Sequence, residues 1–313
     1  MNNGHTLEAK HLHKQYGTKS VVCDVDLILN KGEIVGLLGP NGAGKTTTIN
    51  ILSGLVLKDR GKTEVFGRDT VKDYRTTRSK IGIAAQELPQ DWFFPIETLL
   101  YFQAGYYGIT RKKAEPNIER LLKRLGLAKK KKARLRQLSG GMKRRYQLAK
   151  ALVHDPKIVI LDEPTAGVDV EFRHDMWKLF GELHGEGKTI LLTTHYIEEA
   201  EMLCEDVAII DEGKIIARGK PEDLTKQSGT AGITIQLSGW DDTMKSDVDE
   251  FTFTIDGNRL HFTVEDPEES LPEIINILSK KGCHIQSIKT EKTTLEDIFL
   301  SLTGRGIEED TGP

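Results

Sequence analysis

The chain has 313 residues, enough for one large domain and a small second one. Hydrophobic residues make up 38% and charged residues 29% of it, typical of a globular protein, and no apolar run approaches the ~18 residues of a membrane span. The formal net charge of −3 argues against nucleic acid as the main partner. Its three cysteines are isolated, so they offer no zinc pattern and fit a reducing compartment.

The first predicted elements are strands. Residues 6–30 alternate between apolar and polar types, which is typical of antiparallel strands, and a core sheet is expected to begin near residue 33. The apolar run at residues 33–38 leads into the sequence GPNGAGKT at residues 39–46. A helix-like stretch follows, so strand, glycine-rich loop and helix come in the order that a phosphate-binding loop requires.

This loop predicts a nucleoside triphosphate site. Its glycines let backbone N–H groups converge on an anion, and the helix N-terminus adds the positive end of its dipole. Lys45 is placed to reach the β- and γ-phosphates, and the Thr46 hydroxyl to bind Mg²⁺. An ordinary glycine-rich turn is the alternative, and the complete pattern disfavours it. The predicted nucleotide contacts here are Gly39, Pro40, Asn41, Gly42, Ala43, Gly44, Lys45, Thr46 and Thr47.

The middle of the chain is predicted to be helical. A strand-like run at residues 80–85 ends at Gln86, and residues from about 87 to 153 then carry few strand signals. Within this stretch, Ser139 is placed to cap a helix and the two glycines after it leave that helix's first N–H groups bare. We therefore expect a second anion site at Ser139, Gly140 and Gly141.

A second buried strand is predicted to carry two carboxylates. The apolar run IVIL at residues 158–161 is typical of a parallel strand, and it ends at Asp162 and Glu163. Asp162 is expected beside Mg²⁺, and Glu163 beside the attacking water as its general base or orienting group. A further buried strand is predicted at residues 189–194 and ends at His195, where the edge of an α/β sheet collects ligands.

The composition shifts from about residue 228. Short alternating runs at residues 233–237, 251–255 and 260–264 predict strands, and residues 270–273 read as a capping box that starts a helix. A strand at residues 285–289 and a helix at residues 295–302 follow. The predicted domains are therefore residues 1–227, a small α+β domain at residues 228–304, and a flexible tail at residues 305–313.

Taken together, these motifs resemble the ATP-binding subunit of an ABC transporter over roughly the first 225 residues. The resemblance implies an α/β P-loop NTPase (RecA-like) core with antiparallel β and helical subdomains, and ATP and Mg²⁺ as ligands. In this family the signature that Ser139, Gly140 and Gly141 match grips the ATP of the opposite subunit. Gln86 matches the glutamine that contacts Mg²⁺ or the water, His195 the switch histidine, and Asp169 the D-loop aspartate. Tyr16 matches the aromatic residue that stacks on adenine, although alone it would more often be a half-buried strand residue.

The resemblance also implies partners. The signature, residues 193–203 and the ending at residues 295–303 resemble the ABC-2 type, whose members export drugs, lipids or polysaccharides in bacteria. We therefore expect a homodimer that sits on the cytoplasmic face of the cell membrane and powers a separate integral membrane permease, with no nucleic acid partner. Two alternatives stay open at this point, namely a soluble ABC ATPase acting on DNA or ribosomes and a non-transporting regulator. The aromatic residues Trp92, Phe93 and Phe94 are expected to contact the permease, unless they bury into the helical subdomain.

Overall fold

The computed structural model describes residues 5–87, 93–227, 231–240, 248, 251–264, 267–291 and 294–307. Within it the chain forms two compact units. One comprises Met1–Gly219 together with Ile307–Pro313, and the other Lys220–Gly306.

The larger unit alternates strands and helices. Its strands are β1 (His5–Tyr16), β2 (Lys19–Asn30), β3 (Ile34–Leu38), β4 (Arg60–Val65), β5 (Arg68–Asp69), β6 (Ile81–Ala84), β7 (Ile158–Asp162), β8 (Thr189–Thr194), β9 (Asp206–Asp211) and β10 (Lys214–Gly219). Its helices are α1 (Lys45–Leu52), α2 (Tyr74–Arg78), α3 (Ile96–Tyr106), α4 (Arg111–Arg124), α5 (Gly140–Leu152), α6 (Val170–Gly185) and α7 (Ile197–Leu203). Short 3₁₀ turns occupy Ala128–Lys130 and Leu135–Gln137.

The central sheet has the strand order β10-β9-β3-β8-β7-β6. Strands β9, β3, β8, β7 and β6 run parallel, and β10 joins β9 as an antiparallel edge. Every residue of β3, β7 and β8 is buried, as the continuous apolar runs predicted. Burial of a leucine or isoleucine side chain contributes about 1.5–3 kcal/mol, so these strands anchor the sheet.

The N-terminal strands of the unit form a second sheet, with the strand order β2-β1-β4-β5. Strands β1 and β2 pair antiparallel over almost their whole length, with Leu7 opposite Leu29 and Tyr16 opposite Lys19. The alternating pattern of residues 6–30 thus predicted this pair correctly. The buried side chains of both strands share one hydrophobic core with those of α1 and the central sheet.

The segment between β6 and β7 is helical, as predicted, and contains α3, α4 and α5. Its first residues, 88–92, lie outside the described part of the chain. Helix α3 contacts both α4 and α5, and α5 also packs on β6. The signature predicted at residues 139–141 therefore stands at the start of a helix that rests on the central sheet.

The smaller unit contains α8 (Pro221–Gln227), β11 (Ala231–Ser238), β12 (Thr252–Asp256), β13 (Arg259–Val264), α9 (Pro267–Lys280), β14 (His284–Glu291) and α10 (Leu295–Thr303). Its antiparallel sheet has the order β12-β13-β11-β14, and α9 packs on β11 and β14. Helix α8 belongs to this unit because it packs against α10, although the sequence grouped it with the larger domain.

Two local details differ from the sequence prediction or extend it. The capping box predicted at residues 270–273 is wrong, because α9 already begins at Pro267 and places Glu268 and Glu269 in its first turn, where carboxylates favour the helix dipole. By contrast, α10 begins with a capping box between Thr294 and Asp297. None of the described helices has the length and apolarity that crossing a bilayer requires.

Candidate active site

The candidate site lies at the carboxyl edge of the central sheet. Because β3, β7 and β8 are parallel, the residues that follow them meet there: Leu38 pairs with Thr194, and Asp162 with Thr193. The glycine-rich loop after β3 therefore comes beside Glu163 and His195. The sheet topology thus brings together residues that are far apart in the sequence.

Lys45 is the first residue of α1 and is almost fully buried, with its side chain turned back towards the loop. Its Nζ donates to the carbonyl oxygens of Gly39 at 2.6 Å and Pro40 at 3.1 Å. Gly44, which precedes it, has a φ of 102° and a position where a Cβ would lie 2.5 Å from the Val21 carbonyl oxygen. Only glycine satisfies both conditions. The loop therefore curls around the lysine ammonium.

Asp162 and Thr46 form a cluster of oxygen atoms. Thr46 Oγ1 lies 3.3 Å from Asp162 Oδ1, and Thr193 Oγ1 donates to the same oxygen at 2.7 Å. Burial raises the pKa of Asp162, and the hydrogen bonds from Thr193 and Thr46 only partly offset it. A buried carboxylate of this kind is stabilised when a cation binds beside it.

Glu163 is the most constrained residue of the site. Its φ of 49° lies in the left-handed region, which is unusual for a residue with a side chain. Its Oε1 lies 3.0 Å from Lys45 Nζ, and its Oε2 accepts a hydrogen bond of 2.7 Å from His195 Nδ1. Burial raises the pKa of Glu163, but the His195 bond and the Lys45 charge outweigh it, so the pKa lies below the ordinary value of a glutamate. Glu163 is therefore an ionised carboxylate with a defined orientation.

A cleft of about 180 Å³ opens beside these groups. Gln86 lies on its wall, and the Gln86 carbonyl oxygen accepts a hydrogen bond of 2.5 Å from Arg144 Nη1 of α5. The residues lining the cleft are Val21, Pro40, Asn41, Gly42, Gly44, Lys45, Thr46, Thr47, Gln86 and Glu163. Most of the predicted phosphate contacts thus share one cleft.

The signature residues stand apart from this cleft lining. Ser139 caps α5 by accepting a hydrogen bond of 3.3 Å from Met142 N, which confirms the predicted cap. Gly141 packs against Phe172 of α6, since a Cβ at Gly141 would lie 2.8 Å from Phe172 Cε2. The Arg145 guanidinium lies over the same ring, 5.2 Å from its centroid. The second glycine of the signature thus has a packing role within its own chain.

Gly141→Ala is expected to destabilise the larger unit by about 1–3 kcal/mol, because the added methyl group must displace the Phe172 ring. Phe172→Leu in the same chain should restore most of the loss by making room. Gly140→Ala is the matched control: its Cβ would meet nothing within 4 Å. Urea titrations of the variants measure the effect, and an equal loss in Gly140→Ala and Gly141→Ala would contradict the steric explanation.

Tyr16 and Asp169, two of the predicted nucleotide contacts, are also absent from the cleft lining. Tyr16, at the end of β1, is 49% exposed, with Lys14 Nζ 5.2 Å from its ring centroid. Asp169 is the N-cap of α6 and accepts a hydrogen bond of 2.8 Å from Phe172 N. The nucleotide contacts predicted for both residues therefore stay predictions, and Asp169 has in addition a capping role within its own chain.

Sequence reasoning missed Thr193. Besides donating to Asp162, its Oγ1 and carbonyl oxygen each lie 3.1 Å from Glu163 N. One residue of β8 therefore orients both carboxylates of the neighbouring strand. The available signal was a pair of threonines, Thr193 and Thr194, that ends the buried run at residues 189–194.

Comparisons with known proteins identify the family. A family model described as "ABC transporter" matches residues 22–166, and one described as "ATP-binding protein DrrA1-3-like, C-terminal domain" matches residues 219–303. The chain is 37% identical to Nod factor export ATP-binding protein I of Burkholderia lata over 97% of this chain and 98% of that protein. It is 34% identical to the linearmycin resistance ATP-binding protein LnrL of Bacillus subtilis over 97% of this chain and all of that one.

A solved structure supports the same assignment. The ATP-binding subunit of an ABC transporter superimposes with a TM-score of 0.66 and 30% identity, covering 72% of this chain and 93% of that one. The fold, the glycine-rich loop and the carboxylates of β7 agree with this likeness. The chain belongs to the ABC transporter family, as a DrrA- and NodI-like ATPase subunit of an exporter.

Proposed function

We propose that two copies of this chain close head to tail around two ATP molecules. Lys45 of one copy and the signature, Ser139 to Gly141, of the other then hold the same triphosphate. The observation that carries the proposal is that the cleft at Lys45 is lined without the signature residues. Each chain thus offers two half-sites. The γ-phosphate is the group that both surfaces share, so its hydrolysis removes the link and reopens the dimer.

We also infer that Mg²⁺ accompanies ATP in this cleft. Thr46, Asp162 and Gln86 would hold it with hydroxyl, carboxylate and amide oxygens, the hard ligands that Mg²⁺ prefers. The fit rests on the short distance between Thr46 Oγ1 and Asp162 Oδ1 and on the burial of that carboxylate. When bound, the ion would neutralise phosphate charge.

Each acidic or basic group of the cleft then has a distinct task. Glu163 orients and deprotonates the attacking water, and His195 keeps the Glu163 carboxylate in place through its 2.7 Å hydrogen bond. Lys45 exchanges Glu163 for the β- and γ-phosphates when ATP enters, because the same ammonium serves both anions. This exchange frees the carboxylate for the water only when the nucleotide is present.

Tyr16 and Asp169 complete the proposed nucleotide contacts. The exposed ring of Tyr16 is available for stacking on adenine, and such stacking contributes about 1–3 kcal/mol. Asp169 precedes α6, where its loop would face the opposite copy across the closed dimer. Both assignments follow the family resemblance, and the exposure of Tyr16 supports the first.

The transport pathway is proposed to be a separate ABC-2 type permease, with the chain bound to it on the cytoplasmic face of the cell membrane. The names of the relatives, Nod factor export and linearmycin resistance, support outward transport, and neither concerns nucleic acid. The composition agrees, since a net charge of −3 gives no reason to expect DNA or RNA as the main partner.

An aromatic patch is the proposed contact with this permease. Phe93 is 78% exposed and Phe94 46% exposed, and the Phe94 ring packs edge-on against Phe102 of α3 with centroids 5.3 Å apart. Tyr106, one turn further along α3, is 84% exposed. The exposure of these rings argues against burial in the helical subdomain, whereas Trp92 lies outside the described residues. Clustered exposed aromatics mark protein-binding surfaces.

Phe93→Ser combined with Phe94→Ser is expected to leave the chain folded and able to hydrolyse ATP, but to abolish its recovery with membranes. The full chain is expressed in its native host cells, the cells are lysed, and the amounts of the chain in the membrane fraction and in the supernatant are compared. Met202→Ser is the control, since Met202 is an exposed apolar residue on a different helix, α7. Unchanged membrane recovery of the double variant would contradict the contact. An insoluble double variant would indicate that both rings stabilise the fold, which would also contradict it.

A further inference from the structure

A buried carboxyl group lies behind the catalytic cleft. Glu199 of α7 has no exposed surface, which is unusual for a glutamate. Its Oε1 accepts hydrogen bonds from Thr165 Oγ1 at 2.9 Å and from Trp177 Nε1 of α6 at 3.1 Å. Burial raises the pKa of Glu199, only partly offset by hydrogen bonds from Thr194, Thr165 and Trp177. One oxygen atom thus joins the segment after β7 to α6 and α7.

Thr165 links this carboxyl group to Glu163. It is fully buried and lies inside a turn that closes with a hydrogen bond of 3.2 Å from Ala166 N to the Glu163 carbonyl oxygen. Glu163 itself has the left-handed φ of 49°. A backbone conformation of this kind costs about 1–3 kcal/mol and persists only where the surroundings hold it. Thr193 holds the Glu163 N–H from one side. The bond from Thr165 to Glu199 holds the other side of the turn.

The other end of the link is the helix that follows His195. Helix α7 begins two residues after His195, and Glu199 lies in its first turn. The carboxyl group therefore connects the segment that follows Glu163 to the helix that follows His195. The hydrogen bond between Glu163 and His195 depends on the relative placement of these two segments.

We infer that Glu199 is a positioning residue for ATP hydrolysis, whose buried carboxyl group, through Thr165, holds the Glu163 turn in its left-handed conformation beside His195. The inference rests on the proposed role of Glu163. It assigns Glu199 no contact with ATP, Mg²⁺ or water. Removal of the Glu199 carboxyl group should therefore lower turnover without weakening nucleotide binding.

Thr165→Val is the sharpest test, because valine keeps the shape of threonine and removes only the hydroxyl donor. The full chain is assayed for kcat with Mg·ATP and, separately, for the Kd of a fluorescent ATP analogue. We expect kcat to fall about 10- to 100-fold, the range for a small misplacement of a catalytic group, with the Kd changed by less than about twofold. Glu199→Leu should have the same effect. The double variant should lose no more than either single one, because both changes break one interaction.

Two further variants separate positioning from general stability. Glu199→Gln keeps the Oε1 acceptor and should retain kcat within about threefold. Trp177→Phe removes the other hydrogen bond to the same oxygen, so it should lower the melting temperature while leaving kcat within about threefold of the unmodified chain. If Thr165→Val keeps normal kcat, or if Trp177→Phe lowers kcat equally, Glu199 only stabilises the fold and the inference is wrong.

Glu163→Gln serves as the reference in the same assay. Normal turnover in that variant would overturn the role of Glu163 and with it the basis of the inference. Loss of turnover in Glu163→Gln together with normal turnover in Thr165→Val would overturn the inference alone. Should Glu199→Leu fail to fold, Thr165→Val and Trp177→Phe still decide between the two roles.

Discussion

Glu163→Gln is expected to retain ATP binding, to lose turnover by about 10²- to 10⁴-fold, and to accumulate as an ATP-bound dimer. The amide keeps the size of the side chain but cannot take a proton from water. Lys45, Thr46 and Asp162 remain in place to hold the nucleotide. Gel filtration of the full chain with ATP and Mg²⁺ measures the dimer, and a phosphate-release assay measures turnover.

The control for this variant is Glu115→Gln, the same chemical change on the exposed surface of α4. It should hydrolyse ATP at the normal rate and elute as the unmodified chain does. Near-normal hydrolysis by Glu163→Gln would exclude Glu163 as the base. A variant that loses turnover yet stays monomeric with ATP would instead contradict the proposed closed dimer.

His154→Gln is expected to make the larger unit less sensitive to acid. In the folded chain the His154 ring stacks on Tyr107 with centroids 3.6 Å apart, and its Nε2 donates to the Ile81 carbonyl oxygen at 3.0 Å. Burial lowers the pKa of His154 from 6.5 to about 4, and neither the Ile81 bond nor the charge of Asp155 offsets this. The folded chain therefore keeps this ring neutral in acid that would protonate it in the unfolded chain.

Because the unfolded state binds the extra proton, the free energy of unfolding falls as the pH drops from 6.5 towards 4. The linkage relation gives a loss of about 2 kcal/mol between neutral pH and pH 5. His154→Gln lacks this loss, so its stability relative to the unmodified chain should rise by that amount over the interval. Urea titrations at each pH measure it.

Asn117→Ala is the matched control for the acid effect. Asn117 Nδ2 donates to the Val153 carbonyl oxygen at 2.8 Å, next to His154 in the chain, but the amide does not titrate. Loss of this hydrogen bond should lower the free energy of unfolding by the same amount at every pH. A constant stability difference between His154→Gln and the unmodified chain would show that the ring protonates equally in both states.

The sheet edge and its groups were predictable from the sequence because the signals there are local. Apolar runs predicted strands at residues 33–38 and 158–161, which the structure has at residues 34–38 and 158–162, and parallel strands must end at one edge. The glycine-rich loop follows the first run directly and the two carboxylates end the second. The sheet topology therefore predicts that Lys45 and Glu163 lie close together. It does not predict the distance of 3.0 Å between Lys45 Nζ and Glu163 Oε1.

Other features depend on packing that no local pattern reveals. Glu198 and Glu199 are neighbours of the same type, yet Glu198 is exposed and Glu199 buried, because α7 turns only the second one towards Thr165 and Trp177. Phe172 likewise packs on Gly141 across a long stretch of sequence. Helix α8 joins the smaller unit through its contact with α10 at the other end of that unit. Each of these contacts joins residues that are distant in the sequence and adjacent only in the folded chain.

The ion pair between Lys45 and Glu163 makes the Glu163 carboxylate a competitor for the ammonium that the proposed phosphate contacts would use. The lysine ammonium already contacts one carboxylate and two carbonyl oxygens. A weakly binding anion such as free phosphate would have to replace these contacts, and it offers few contacts of its own in return. A triphosphate with its metal brings enough charge and contacts to do so. In the proposed mechanism, Glu163 would pair with Lys45 again once the product has left, and the next triphosphate would have to replace it.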